Sequence, residues 1–279
     1  MSKNNLRFLL LVISTTFIIL FISCKREVDI DNPIFNLNST TTLYPEFNSI
    51  GQLHNFCLKT IQDDRNFITI YNIEKYINSL LCANIGICTD TIHISIALNY
   101  VDNIMNYADS LKKSNTITEN EYQFYSFLDS VCSIPKLTSS ELDIAINKFI
   151  KESIDTSKLC FKEEYNILGT LFVLLHSNNY WYINAQNVKI SKWINEDHFK
   201  KIYIANVLYN NTKYYMMQNI ITGTAIADAL AYSDCINYYN NEDPTIFNND
   251  YHDGRARAAI AACEVGAAKV SFAYIISQL

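Results

Sequence analysis

A histidine beside a carboxylate can move a proton, and a cysteine thiol can be acylated, oxidised or bound to a metal. The chain holds five histidines (His54, His93, His176, His198 and His252) and eight cysteines. No two histidines stand four residues apart, so no helix presents a paired metal site. Zinc-protease, nucleophile-elbow and phosphate-loop patterns are absent as well. The sequence therefore assigns no catalytic residue, metal or cofactor. His54 lies one turn from both Ile50 and Leu58, so it faces the buried side of a helix. Such a histidine is either bonded to a carbonyl in the core or set up as a general base. Asn55 follows it. Asp228 lies among small residues, which leaves it partly buried and in need of a partner. Arg255, Arg257 and Lys269 on the next helix, or Thr224 beside it, are the expected partners, in a structural ion pair or hydrogen bond. A cleft that gathered His54, Asp228 and a further titrating group would instead mark an enzyme. Glu163-Glu164 and Asp63-Asp64 read as solvated faces.

Cys24 offers different chemistry. Lys3 and Arg7 precede fifteen uncharged residues, Phe8 to Ile22, and the small Ser23 stands directly before the cysteine. A membrane span needs about 20 apolar residues, so this shorter run reads as the h-region of an export signal over residues 1–23. The site resembles the bacterial lipobox, with Phe21 at the usual leucine position, which implies lipid attachment at the Cys24 thiol. Lys25 follows, rather than the aspartate that retains lipoproteins in the inner membrane of enteric bacteria. Glu27, Asp29 and Asp31 resemble the surface-export signal of Bacteroidota lipoproteins. The expected location is the bacterial outer membrane, lipid-anchored, on its periplasmic or cell-surface face. An uncleaved N-terminal anchor with Cys24 as a bystander is the other reading.

The formal charge is −6, and cleavage before Cys24 would remove two positive residues more. An acidic chain without a basic cluster does not suit phosphate backbones, which excludes nucleic acid as a partner. Six glycines and four prolines are too few for the turns of an all-β fold. With 49% hydrophobic and 18% charged residues the chain is globular. Beyond Cys24 stand Cys57, Cys82, Cys88, Cys132, Cys160, Cys235 and Cys263, an odd number, scattered on apolar helix faces. They read as buried small hydrophobes. If an exported chain oxidises some of them, Cys82 and Cys88 are the best pair, because Gly86 lets the chain turn between them.

The elements follow from periodicity. Residues 24–47 have none and contain Asn32-Pro33 and Tyr44-Pro45, so they read as a flexible tether with a reach of roughly 26 Å. A helical domain spans 48–279. Its helices carry the stripes Ile50-Leu53-Cys57-Leu58-Ile61 and Ile70-Ile73-Ile77-Leu80-Leu81, then a longer helix from about 94 to Lys113. Capping boxes at Thr118–Glu121 and Thr138–Glu141 start two more helices, the first ending at Pro135. A sixth begins near Ser157 and ends around Asn179–Ile183. A long helical stretch from about His198 to Tyr239, broken at Asn210-Asn211, is followed by a loop, Asn240 to Asp250. The last helix runs from Asp253 to about Ser277. The fold class is all-α, a multi-helix array.

The last two helices carry a distinctive pattern. Gly223, Ala227, Ala231 and Cys235 recur every four residues, as do Ala259, Cys263, Ala267 and Ser271, with Ala258, Ala262 and Gly266 alongside. Faces of small residues let two backbones approach closely, so these ladders form the seam of an antiparallel hairpin, about 212–279. The seam is either a packing device in a soluble bundle or a small-xxx-small hairpin that acts in membranes. Asp228, Glu264 and Lys269 favour the soluble form, since charges in lipid cost several kcal/mol or less each. The segment Ile226-Ala-Asp-Ala-Leu230 with its Ala/Gly-rich last helix, together with Gly51-Gln-Leu-His-Asn55, resembles uncharacterised all-helical lipoproteins of Bacteroidota. The resemblance covers about a quarter of the chain and implies a lipoprotein setting but no activity. Asp90-Thr91-Ile92, Asp109-Ser110-Leu111 and Asp129-Ser130-Val131 resemble the O-glycosylation sequon of exported proteins of that group. The expected function is a lipid-anchored cell-envelope protein that binds a protein partner or ligand. The alternatives are a membrane-active or oligomerising hairpin, and an enzyme with an unrecognised site.

Overall fold

The computed structural model describes residues 43–63, 99–134, 137–186, 212–247 and 254–278. The described residues are all-α: α1 (Pro45–Asp63), α2 (Ile104–Lys113), α3 (Glu119–Cys132), α4 (Ser139–Ser153), α5 (Phe161–Glu164), a π-helical segment (Tyr165–Gly169) continuing into α6 (Thr170–Gln186), α7 (Thr212–Glu242) and α8 (Gly254–Gln278). The export signal, Cys24, the second apolar stripe, Cys82, Cys88, His93, His198 and His252 lie outside the described residues.

Helix α1 starts at Pro45, three residues before the expected domain boundary. Proline suits the first helical position because its missing N–H has no intrahelical partner there. Phe47, expected in the tether, is instead buried, its ring 5.0 Å from that of Tyr165 and 6.2 Å from that of Phe172. Both capping boxes are formed: Thr118 and Thr138 accept from the N–H of Glu121 and Glu141, whose carboxylates accept from the cap N–H groups in return. Helix α2 begins at Ile104, not near 94, with Val101 to Asn103 outside it. The aromatic stretch Asn179–Ile183 does not end α6, which runs on to Gln186. Likewise α7 continues to Glu242, past the expected loop start.

Helices α1, α6, α7 and α8 pack in a ring, α1 on α6, α6 on α7, α7 on α8 and α8 back on α1. Helix α4 lies against α6, and α3 against α7. The side chains from Ile167 to Leu175 are all buried, so α6 has no solvent face along this stretch and serves as the central element. In the last pair Cys235 meets Cys263, Asp228 meets Ser271, and Gly223 faces Tyr274. The numbering rises on one helix as it falls on the other, so the two are antiparallel. Ala227, Ala231, Ala259, Cys263, Ala267 and Ser271 are buried, whereas Cys235 is half-buried. A Cβ on Gly223 would collide with the Tyr274 hydroxyl, so glycine there permits the close approach.

Candidate functional site

Each helix of the ring contributes one polar side chain to a common centre: His54 from α1, Ser177 from α6, Asp228 from α7 and Ser271 from α8. All four are fully buried. Asp228 Oδ2 gathers them. Ser177 Oγ donates to it at 2.5 Å, Ser271 Oγ donates to it as well, and His54 Nε2 lies 3.2 Å away on an oblique line. Trp181 Nε1 donates to Ser271 Oγ at 3.1 Å, which commits the serine's own hydrogen to the carboxylate. Asp228 Oδ1 is buried without a hydrogen-bond partner. Burial pushes the Asp228 carboxyl above its ordinary range, and the bonds from His54, Ser177 and Ser271 oppose that push.

The other ring nitrogen of His54 is held through a relay. Asn55 Nδ2 donates to the His176 carbonyl at 3.2 Å, which fixes the amide so that its Oδ1 faces His54 Nδ1 at 3.3 Å. His176 Nε2 in turn lies 2.9 Å from Asn48 Oδ1. Desolvation, aided by the proximity of His54, lowers the His176 pKa to about 4, so this imidazole stays neutral at pH 7. A Cβ on Gly51 would fall inside the His176 ring, so only glycine admits that side chain between α1 and α6. All three named residues of the Gly-x-x-His-Asn segment therefore act at one place, and they meet the aspartate of the Ala-Asp-Ala segment there.

The predicted polar residues His54, Asn55 and Asp228 are thus brought together. The expected partners of Asp228 are corrected by the contacts it makes. Its partners are His54, Ser177 and Ser271, and Arg255 pairs instead with Asp243 at 3.3 Å. Helical periodicity assigns no role to Ser177 or to His176, although Ser177-Asn178-Asn179 interrupts an otherwise apolar helix and marks the place.

A second buried network joins α3, α5, the π segment and α7. Lys162 Nζ bonds Glu121 Oε1 at 2.5 Å and Asn166 Nδ2 donates to the same oxygen. Ser233 Oγ donates to Asn166 Oδ1 at 2.6 Å and also meets Tyr125 Oη at 2.6 Å, while Asn237 Nδ2 donates to that phenol oxygen at 3.2 Å. Glu163 is buried, not solvated. It accepts from Thr118 Oγ1 at 2.6 Å, from Asn120 at 3.3 Å and from the Cys160 N–H at 2.9 Å. Glu264, on α8, is buried with Oε2 lacking a hydrogen-bond partner, and burial raises its carboxyl well above the ordinary value.

The cysteines require a correction too. Cys235 and Cys263 are not merely small hydrophobes but form a disulfide across the α7–α8 seam. Cys57, Cys132 and Cys160 are free. Ser110 and Ser130, in the two described glycosylation-like tripeptides, are exposed on α2 and α3, each hydrogen-bonded to the carbonyl three residues before it.

Chemically, the four-helix centre differs from a hydrolase triad. There, histidine stands between the serine and the aspartate and takes the serine's proton. Here, aspartate stands between the serines and the histidine, and His54 Nδ1 faces an amide. Neither serine is paired with an imidazole; both donate to the Asp228 carboxylate. Among the described residues no three His, Cys, Asp or Glu side chains converge to hold a metal ion. No family model, no curated protein and no solved structure matches the chain.

Proposed function

We propose that the chain is a lipid-anchored cell-envelope protein, tethered through Cys24 to the bacterial outer membrane, whose helical domain serves as a binding or interaction module for a protein partner or ligand. The observation that carries this reading is the Cys235–Cys263 disulfide. Disulfides persist in oxidising compartments and are rare in the cytosol, so the bond agrees with the export signal read independently at the other end of the chain. The membrane-active alternative has less support: Asp228, Glu264 and Lys269 are buried in the hairpin helices. Among the described residues, no helix is long and apolar enough to cross a membrane.

Two experiments test the reading. Cys24→Ser should move the protein from the membrane to the soluble fraction and abolish incorporation of labelled palmitate. An unchanged membrane fraction overturns the anchor. Non-reducing mass mapping of protein from intact cells should recover a peptide pair joined through Cys235 and Cys263. Free thiols at both positions, trapped at lysis, would remove the support for an exported domain.

A further inference from the structure

We propose that the interior of the four-helix ring is a hydration site, in which ordered water bridges Asp228 Oδ1 to His54 Nε2 at one level and joins Tyr232 Oη to Glu264 Oε2 at the next. Four buried polar atoms carry the inference. Asp228 Oδ1, His54 Nε2, Tyr232 Oη and Glu264 Oε2 have no hydrogen-bond partner among the described residues. Their side chains come from three helices, and each residue is at most 3% exposed. A buried polar atom left unpaired keeps the full cost of its lost hydration, so folded proteins pair nearly all such atoms, with protein groups or with ordered water.

The four atoms belong to one region. Asp228 and Tyr232 stand one turn apart on α7, and Glu264 and Ser271 two turns apart on α8, so each pair shares a face. The contacts Asp228–Ser271 and Cys235–Cys263 set the register of these helices, and Tyr232 and Glu264 both fall between them. The Tyr232 hydroxyl reaches α6, where a Cβ on Gly169 would come within 2.7 Å of it. The Glu264 carboxyl acts electrostatically on Tyr232 of α7 and on Cys57 of α1, which sets it toward the inside of the ring. At the first level His54 Nε2 lies 3.2 Å from Asp228 Oδ2, so one small molecule beside the pair touches Nε2 and Oδ1 together. The chemistry selects water. Two serines already donate to Asp228 Oδ2, and Oδ1 calls for a further donor. A phenol oxygen both donates and accepts, and a ring nitrogen does one or the other according to its proton. Water meets every combination, and it is the molecule that closely packed interiors hold against such groups. The inference stands apart from the envelope reading, because it concerns the folded domain wherever it resides.

Tyr232→Phe tests the site, because it removes one polar atom and keeps the ring that packs on Gly169. If water bonds Tyr232 Oη, the variant loses that hydrogen bond. In urea denaturation of the purified full-length chain its unfolded-to-folded ratio should then rise about two- to tenfold. An unchanged or lower ratio would mean that the hydroxyl is buried dry, and would overturn the proposal. A crystal structure of the wild-type chain should show one water within hydrogen-bonding distance of Asp228 Oδ1 and His54 Nε2, and another between Tyr232 Oη and Glu264 Oε2. A level without water, its side chains bonded directly to each other or left dry, would also overturn it. Should no crystals grow, magnetic relaxation dispersion of the water nuclei counts long-lived internal waters in solution. Fewer in Tyr232→Phe than in the wild-type chain is the expected result, and equal numbers would refute the site.

Discussion

Two buried titrating groups pull stability in opposite directions as pH changes. The folded chain keeps Glu264 protonated above its ordinary range, so it binds more protons than the unfolded chain over that interval, and stability falls as pH rises. His176 does the reverse. Its pKa of about 4 lies below the ordinary 6.5, so the folded chain binds fewer protons between those values and stability rises with pH there. Each slope is at most about 1.4 kcal/mol per pH unit, the value for one proton. Glu264→Gln should therefore raise the urea midpoint above the ordinary glutamate range and flatten the alkaline decline, leaving the acid limb set by His176 in place. A midpoint that falls in the variant at neutral pH would mean that the carboxylate has a partner in solution.

Between elements, the decisive distances are those that only small residues permit. Gly51→Ala would drive a methyl group into the His176 ring and separate α1 from α6. Overpacking of this kind costs about 1–3 kcal/mol. Gly254→Ala is the matched control, because a Cβ there meets nothing within 4 Å. Thermal unfolding of both variants should show a clear loss for the first and little change for the second. The disulfide acts at the same level. Its cysteines are 28 residues apart, a loop whose closure is worth about 3–4 kcal/mol in the chain-entropy account. Cys263→Ser should lower the denaturation midpoint accordingly, as urea denaturation under non-reducing conditions would show.

Across the domain as a whole, the two buried polar centres tie helices that are far apart in sequence into one cooperative unit. The second depends on a single cation: Lys162 neutralises Glu121, which Asn166 also contacts. Lys162→Met would leave a carboxylate buried without its counter-charge, a loss of about 3–5 kcal/mol. The double variant Lys162→Met with Glu121→Gln should recover a large part of that loss, since the unpaired charge is gone. Urea denaturation of the single and double variants tests the coupling; equal losses in both would place the damage in packing rather than in charge.

What was legible in the residue string was whatever closes within a few turns of helix. The capping boxes at Thr118 and Thr138 are such features, because a cap is satisfied three residues away. The all-α class and the small-residue ladders of α7 and α8 follow from periods that one helix imposes on itself. His54 on the core side of α1 was readable on the same ground. Its bond to Asp228 was not, because that contact joins the first described helix to one beyond most of the chain and exists only once the ring has closed. Glu163 looked solvated because its neighbours are polar, yet Thr118 comes from another helix to meet it. The Cys235–Cys263 pair was hidden for a related reason: both residues were visible on the ladders, but a disulfide needs a register, and packing of α7 against α8 sets it. Local hydrogen bonding and helical periodicity are written into neighbouring residues. Long-range polar pairing is settled by which helices can afford to bury their faces against one another, and that is a property of the assembled fold.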